Sequence, residues 1–325
     1  MRPKAVVSSA AAGFTGGEGL ASPSDVAQSD RMSAILCIGS VLWDVIGRTP
    51  AHMALGSDVP GHIVRIPGGV AMNVAMTFAR LGIGCDLLTA VGNDFEGAAL
   101  LNEARQRGIG CGNVYVSEDL PTDQYMAIEG GNGLVAAIAD AHSLEKAGDK
   151  ILAPLLDGRI ATEDDPFSGV AALDGNLSEG LLARIASGPW LARADLRIAP
   201  ASPGKVLRLV PLLAMANATF YVNLEEAGAL LGGPQADART AAAALAHRGT
   251  ARVLVTNGGQ PAALAEGDSV VDAAPPDVLV TRITGAGDTF MAAHIAAERS
   301  GLAGADALAS GLRAAAHYVS GDVTT

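Results

Sequence analysis

The residues best suited to chemistry in this chain of 325 residues form a short stretch, TGAGD, from Thr284 to Asp288. Gly285 and Gly287 allow a sharp turn and a close approach of the backbone to a ligand. With Ala286 between them, successive N–H groups and the unpaired N–H groups of a following helix would form an anion hole suited to a phosphate. Asp288 would lie at its mouth, where a carboxylate could take a proton from an attacking hydroxyl. An ordinary turn with an Asp helix cap fits the same residues, and the stretch alone does not decide.

A double glycine at Gly68 and Gly69 precedes a second helical pattern, and Asn73 lies one turn inside it. Glycine permits close approach to a polar ligand, and the Asn side chain can both donate and accept hydrogen bonds to hydroxyls. The alternative is a turn followed by a surface asparagine.

Two further motifs follow predicted strands. Asn223 and Glu226 either form a helix-capping pair or place Glu226 near a hydrated Mg²⁺, an ion that keeps its waters and takes few carboxylates. Thr256 and Gly258 end another predicted strand and could contact the phosphates of a nucleotide.

Several well-known nucleotide motifs do not occur in the sequence. It contains no GxxxxGK[ST] phosphate loop, no GxGxxG after the first predicted strand, and neither the HRD nor the DFG motif of protein kinases. A bound phosphate would therefore depend on backbone N–H groups and a metal ion.

Composition restricts the class of partner. The formal net charge is −12 and the chain contains only four lysines with no basic cluster, which argues against a nucleic-acid partner and leaves a small-molecule substrate. No apolar run approaches the ~18 residues of a membrane helix, so no membrane association is expected. The three cysteines are far apart, which fits a reduced cytosol and predicts a cytoplasmic location.

Strand and helix patterns alternate along most of the chain, which predicts an α/β fold with a mostly parallel sheet between helices. Ligands of such folds bind at the carboxyl ends of the strands, where every motif above falls. The apolar run DVLV is predicted to be the strand before the glycine turn. Residues 1–33 are predicted to be a flexible tail and residues 34–325 one domain. Segments of about 44–67 and 121–141 break the alternation and are predicted to form a small inserted β lid.

Four segments, in chain order, resemble the ribokinase-like (PfkB) carbohydrate kinases: GGVAMNVAMTFARLG, AVGNDFEG, NLEEAGALLG and TGAGDTF. The resemblance covers residues 34 to about 320. It implies a three-layer α/β/α fold with a mostly parallel central sheet and a small β lid. The implied activity is transfer of a phosphoryl group from ATP, with Mg²⁺, to an alcohol.

The resemblance also implies a role for each matching position. Asp288 matches the catalytic base, and Gly285, Ala286 and Gly287 match the anion hole. Thr284, directly before them, is expected to bind the nucleotide. Asn223 and Glu226 match the N-x-x-E motif linked to Mg²⁺ and to phosphate positioning, with Thr256 and Gly258 beside the nucleotide. The positions implied to bind the acceptor are Asp44, Gly68, Gly69 and Asn73.

Within the family, the segment TDQYMAIEGGNGLVAAIADAHSLE is similar to the lid of bacterial pseudouridine kinases, as are GSDVPGHIVRIPGGVAMN and GVAALDGNLSEGLL. This likeness implies a nucleoside acceptor, with Asp174 and Asn176 at a strand end facing it. Tyr125 or Trp43 could then pack on the nucleobase, because a base is a flat π surface. Ordinary packing in the core or the lid is the alternative for both aromatic residues.

Alternative functions stay open at this point. Val70 and Leu42 stand where true ribokinases usually carry Lys and Asn, which makes ribose itself a less favoured acceptor. The alternatives are a sugar kinase of the ribokinase or fructokinase kind, a kinase of another nucleoside, and a catalytically silent metabolite sensor. Arg282 stands where relatives often carry Asp or Asn near a monovalent-cation site, so K⁺ dependence is left open. The resemblance also implies a homodimer formed through the lid.

Overall fold

The computed structural model describes residues 35–54, 56–282 and 284–321. The predicted tail at residues 1–33 lies outside the described residues. The strands are β1 (Ile35–Ile38), β2 (Leu42–Arg48), β3 (His62–Gly68), β4 (Asp86–Leu88), β5 (Ala90–Gly92), β6 (Tyr115–Ser117), β7 (Gln124–Gly130), β8 (Gly133–Asp140), β9 (Val170–Asp174), β10 (Asp195–Ala199), β11 (Ala218–Asn223), β12 (Arg252–Asn257), β13 (Gln260–Glu266) and β14 (Ser269–Ala273). The α-helices are α1 (Val70–Arg80), α2 (Phe95–Gln106), α3 (Ser143–Ala147), α4 (Glu179–Ser187), α5 (Leu224–Leu231), α6 (Ala238–His247), α7 (Ala286–Arg299) and α8 (Gly304–Ser320). Two 3₁₀ segments, Gly148–Leu155 and Pro203–Leu212, complete the described elements.

An eight-stranded sheet in the order β14-β13-β12-β11-β10-β9-β1-β4 forms the centre of the fold. The strands from β12 to β4 pair in parallel, and only β13 and β14 are antiparallel. In β1, Leu36 and Ile38 pack into one core cluster while Ile35 and Cys37 pack into the other, because successive side chains point to opposite faces. One cluster contains α3 to α6 and the other contains α1, α2, α7 and α8. The three-layer architecture predicted from the alternating patterns is thus confirmed.

The prediction of a strand in the run DVLV, residues 277–280, is wrong. These residues have no regular secondary structure, and Leu279 and Val280 are exposed. The last strand, β14, ends at Ala273, and Pro275 and Pro276 follow directly after Ala274. Proline lacks the N–H that a strand ladder needs, so the chain leaves the sheet and reaches the glycine turn as an irregular segment.

A second, four-stranded sheet, in the order β3-β2-β7-β8, rises next to the central one. We call it the small sheet. Its strand β2 begins four residues after β1, so the chain passes directly from the central sheet into it. Strands β7 and β8 form the hairpin predicted around EGGNG, closed by a turn at Gly131 and Asn132.

A buried network of charged residues connects α7 to the central sheet. Glu298 of α7 accepts hydrogen bonds from Arg197 of β10 and Arg252 of β12, while His294 lies 3.0 Å from the hydroxyl of Tyr221 on β11. Burial alone would raise the pKa of Glu298, but the two guanidinium groups lower it to about 2. Burial lowers the pKa of His294 to about 4, so the imidazole is neutral at physiological pH. The network therefore sets the orientation of the helix that carries Asp288.

Candidate active site

Polar residues lie at the carboxyl ends of three strands of the central sheet, β9, β11 and β12. Asp174 is the last residue of β9, and Asn223 ends β11, where it pairs in register with Thr256 of β12. Parallel strands end at the same edge of a sheet, so these groups lie along one edge. Gly258 lies in the tight turn from β12 to β13, with a φ of 55°, at the same edge.

Asp288 and Asn73 meet at the point where α7 and α1 pack together. The side-chain amide nitrogen of Asn73 donates a hydrogen bond of 2.8 Å to the Asp288 carboxylate. Burial raises the pKa of Asp288 to about 7, and the hydrogen bond from Asn73 opposes this shift. The nearby carboxyl groups of Asp174, Glu226 and Asp44 raise that pKa further. A carboxyl group that titrates near neutral pH is well matched to taking up a proton from a hydroxyl.

The turn before α7 combines a glycine of positive φ with a helix start that has no side-chain cap. Gly285 adopts a φ of 85°, which side-chain-bearing residues rarely tolerate. Among the residues that the structure describes, no side chain caps the first turn of α7, which leaves its N–H groups available to a ligand. A Cβ placed on Gly287 would meet nothing within 4 Å, so open space lies in front of the turn. These features fit a phosphate group of a nucleotide.

Asn223 and Glu226 form the reciprocal capping pair that was one of the two interpretations of this motif. The Asn223 side chain accepts from the Glu226 backbone N–H at 2.8 Å, and the Glu226 carboxylate accepts from the Asn223 N–H at 2.8 Å. Burial raises the pKa of Glu226 to about 7. Among the described residues, no group of three or more His, Cys, Asp or Glu side chains could hold a metal ion as a closed site. A magnesium ion beside Glu226 would therefore keep most of its water, as that ion prefers.

We expect ionisation of the buried Glu226 to lower the stability of the folded protein as the pH rises from the acidic range. The folded-state pKa of about 7 lies above the ordinary value of 4.5, so the unfolded chain ionises first and stability falls as the pH rises through this window. Glu226→Gln removes the ionisation and retains a capping residue. The difference in melting temperature between Glu226→Gln and the unsubstituted protein should therefore shift in favour of the variant as the pH rises from 4.5 to 8. Both proteins are measured without added metal.

Glu179→Gln is the matched control, because Glu179 lies in the first turn of α4 and is exposed. Its melting temperature relative to the unsubstituted protein should change little between the two pH values. If the melting-temperature difference between Glu226→Gln and the unsubstituted protein also stays constant with pH, the raised pKa of Glu226 is contradicted.

Asp44 lies on β2 of the small sheet, level with Tyr125 of β7 and Ile66 of β3. Residues in register point to the same face of a sheet, so Tyr125 shares the face of Asp44. Burial raises the pKa of Asp44 to about 6. A Cβ on Gly68 would collide with the Asp44 carboxylate, and a Cβ on Gly69 would collide with the Ser40 carbonyl. The double glycine is thus needed for the backbone to pass close to Asp44 and Ser40.

Trp43 lies on the face of the small sheet opposite Asp44 and Tyr125. Adjacent residues of a strand point to opposite faces, and Trp43 is buried, with its indole N–H donating to the Glu96 carbonyl at 2.9 Å. Of the two aromatic residues considered for packing on a nucleobase, only Tyr125 lies on the Asp44 side of the small sheet.

A chain of hydrogen bonds at the end of β9 includes a residue that the sequence analysis missed. Buried Asp174 accepts from the Ser40 N–H at 2.7 Å and from the Asn176 N–H at 2.8 Å. The Asn176 amide donates to the Ser40 hydroxyl at 2.7 Å, and the Lys205 ammonium donates to the Asn176 oxygen at 2.8 Å. Lys205 is one of only four lysines and follows a predicted strand, which is the signal that could have identified it.

Comparisons with known proteins find similarity over most of the chain. The family described as "pfkB family carbohydrate kinase" matches residues 32–322. A pseudouridine kinase of Escherichia coli K12 is 29% identical over 264 residues, which cover 79% of this chain and 81% of the relative. A ribokinase of Mus musculus is 25% identical over 279 residues, 82% of each chain. Among solved structures, a carbohydrate kinase from Agrobacterium tumefaciens superposes with a TM-score of 0.75 at 27% identity, over 90% of this chain and 92% of the other.

Proposed function

Because the chain belongs to the pfkB family of carbohydrate kinases, we propose that it transfers a phosphoryl group from ATP to the 5′-hydroxyl of a nucleoside, with pseudouridine as the preferred acceptor. The observation that carries this proposal is the placement of Asp288. Its carboxyl group has a pKa near 7, is held by Asn73 and lies at the start of a helix with an open glycine turn. A base beside a phosphate-binding turn is the arrangement that phosphorylation of an alcohol requires.

Each step on the protein side involves a described residue. Asp44 would accept hydrogen bonds from the acceptor's hydroxyls, and Asn73 would hold the Asp288 carboxylate in place. Asp288 would remove the proton from the 5′-hydroxyl as the hydroxyl oxygen bonds to the γ-phosphorus of ATP. The bond between that phosphorus and the bridging oxygen would break at the same time, and ADP would leave. The N–H groups of residues 285–287 would stabilise charge on the transferring group. Bound Mg-ATP supplies the phosphoryl group, and Asn223 and Glu226 would hold its Mg²⁺ through water.

Two observations support a nucleoside over a free sugar. Tyr125 places an aromatic ring on the Asp44 face of the small sheet, where a flat base could stack. The identity to the pseudouridine kinase of E. coli, 29%, is higher than the 25% identity to the ribokinase. The similarity to a ribokinase over comparable lengths keeps a sugar kinase as the second candidate.

The deciding experiment measures ADP release with Mg-ATP and pseudouridine, uridine, adenosine, ribose or fructose in parallel. Selective turnover of pseudouridine would support the proposal. Preferential turnover of ribose or fructose would replace the acceptor with a sugar and retain the kinase. Binding of ATP without turnover of any of the five would contradict the proposed acceptor.

The small sheet also supports a homodimer. Four large apolar side chains project from the face opposite Asp44 and are exposed: Ile63, Met126, Ile128 and Ile138. Ile63 is 79% exposed and Ile138 68%, which is unusual for residues that share one face of a sheet. An apolar face of this kind can pair with its own copy across a two-fold axis. We expect sedimentation to show a dimer that Ile138→Lys dissociates, whereas a monomeric unsubstituted protein would contradict it.

A further inference from the structure

The C-terminal end of α8 lies against the segment that leads into the glycine turn. The Val319 carbonyl accepts from the Thr281 N–H at 2.8 Å, and the Tyr318 carbonyl accepts from Nε of Arg282 at 2.7 Å. Carbonyl groups in the last turn of a helix have no partner within the helix and carry partial negative charge. The Arg282 guanidinium is therefore well placed at this helix end.

The Tyr318 side chain extends this contact to the turn itself. The Arg282 guanidinium lies over the Tyr318 ring, 3.8 Å from its centroid. The Tyr318 hydroxyl donates a hydrogen bond of 3.0 Å to the Thr284 carbonyl. A Cβ on Gly285 would come within 2.7 Å of that hydroxyl, so the ring is packed directly against the turn.

The hydrogen bond to Thr284 has a geometric consequence for the next residue. The Thr284 carbonyl and the Gly285 N–H belong to one planar peptide unit, and in a trans peptide they point in opposite directions. The described residues contain no cis peptide bond. A carbonyl held toward Tyr318 therefore directs the Gly285 N–H away from Tyr318.

We propose that Tyr318 and Arg282 are positioning residues that orient the turn before α7 for phosphate binding, through the hydrogen bond from Tyr318 to Thr284. The proposal rests on the proposed function, because it assumes that this turn receives a nucleotide phosphate. It makes the end of α8 part of the nucleotide site although neither side chain has to touch the nucleotide. Ring and guanidinium stack together, so each restricts the other.

Tyr318→Phe tests the proposal, because it removes the hydroxyl and keeps the ring and its stacking. Affinity for the β,γ-imido analogue of ATP, with Mg²⁺ and without an acceptor, should fall about 3- to 10-fold, the range that loss of one hydrogen bond gives. In turnover assays the KM for ATP should rise while the KM for the acceptor stays unchanged. Tyr115→Phe is the matched control, since the Tyr115 hydroxyl contacts only the surface Lys150, at 3.1 Å, in the described structure.

A second variant tests the coupling between ring and turn. Gly285→Ala should weaken nucleotide binding strongly, because its Cβ meets the Tyr318 oxygen and its φ is positive. In the Tyr318→Phe background that oxygen is absent, so the further loss caused by Gly285→Ala should be smaller.

The outcomes separate the two proposals. Equal nucleotide affinities for Tyr318→Phe and the unsubstituted protein would overturn the positioning role and leave the kinase function standing. A loss of the same size in Tyr115→Phe would also overturn it. Failure of the unsubstituted protein to bind the nucleotide would overturn both. Nucleotide binding without turnover of any acceptor would contradict the proposed acceptor alone.

Discussion

Asp288→Asn is expected to lower kcat by about 10²- to 10⁴-fold, the range associated with loss of a general base, with little change in ATP affinity. Asparagine has nearly the shape of aspartate, and its carbonyl oxygen can still accept the hydrogen bond from Asn73. The amide cannot take the proton of the acceptor's hydroxyl. Single-turnover rates together with the dissociation constant for the ATP analogue would measure both parts of the prediction.

The pH profile provides an independent check on the same residue. With a folded-state pKa of about 7, the Asp288 carboxyl is protonated at pH 6 and ionised at pH 8. The kcat/KM should therefore rise with pH through about 7 and level off above it. In Asp288→Asn the remaining activity should lose this rise. Asp306→Asn, which changes an exposed acid of α8, should keep both the rate and the profile. Near-normal turnover in Asp288→Asn would disprove the assignment.

Asp44→Asn is the second substitution with a large expected effect. We expect kcat/KM for the acceptor to fall about 10- to 100-fold, because hydrogen bonds to a charged group contribute roughly 1.5–3 kcal/mol. Affinity for the ATP analogue should not change, since Asp44 belongs to the small sheet, whereas the glycine turn lies at the start of α7. Steady-state kinetics with each substrate varied in turn would measure the two effects separately.

Two companion variants strengthen this test. Gly68→Ala should mimic Asp44→Asn, because the added Cβ would displace the Asp44 carboxylate. Asp58→Asn changes an exposed acid between β2 and β3 and should leave the kinetics unchanged. A parallel loss of ATP affinity in Asp44→Asn would assign Asp44 to the structure of the site and not to acceptor binding.

Local patterns predicted the parts of the site whose geometry is set by a few neighbouring residues. The positive φ at Gly285 follows from the residue type itself. The capping pair of Asn223 and Glu226 depends on contacts within three residues, and the structure has both features. The alternating order of strands and helices likewise determined the three layers. The functional roles of these residues remain predictions, because geometry alone does not show turnover.

Features that depend on distant parts of the chain could not be predicted in this way. The contact between Lys205 and Asn176 joins two segments 29 residues apart, and Tyr318 is 34 residues from Thr284. Nothing in either local pattern indicates its partner. The prediction of a strand in DVLV was wrong for a related reason. Strand propensity is only a tendency, and here two preceding prolines and the lack of a neighbouring strand outweighed it.

The raised pKa values of Glu226 and Asp288 make folding of this protein a proton-uptake reaction near pH 6. The native carboxyls are mostly protonated there, whereas the same groups in the unfolded chain titrate close to pH 4 and are ionised. Unfolding at pH 6 must then release the protons of these two carboxyls to the buffer, and this release exceeds the uptake by the single imidazole of His294, which is neutral in the folded state. The calorimetric enthalpy of unfolding should consequently vary with the ionisation enthalpy of the buffer chosen. The part of this dependence that comes from Glu226 and Asp288 should vanish near pH 9, where both carboxyls are ionised in the folded and the unfolded state.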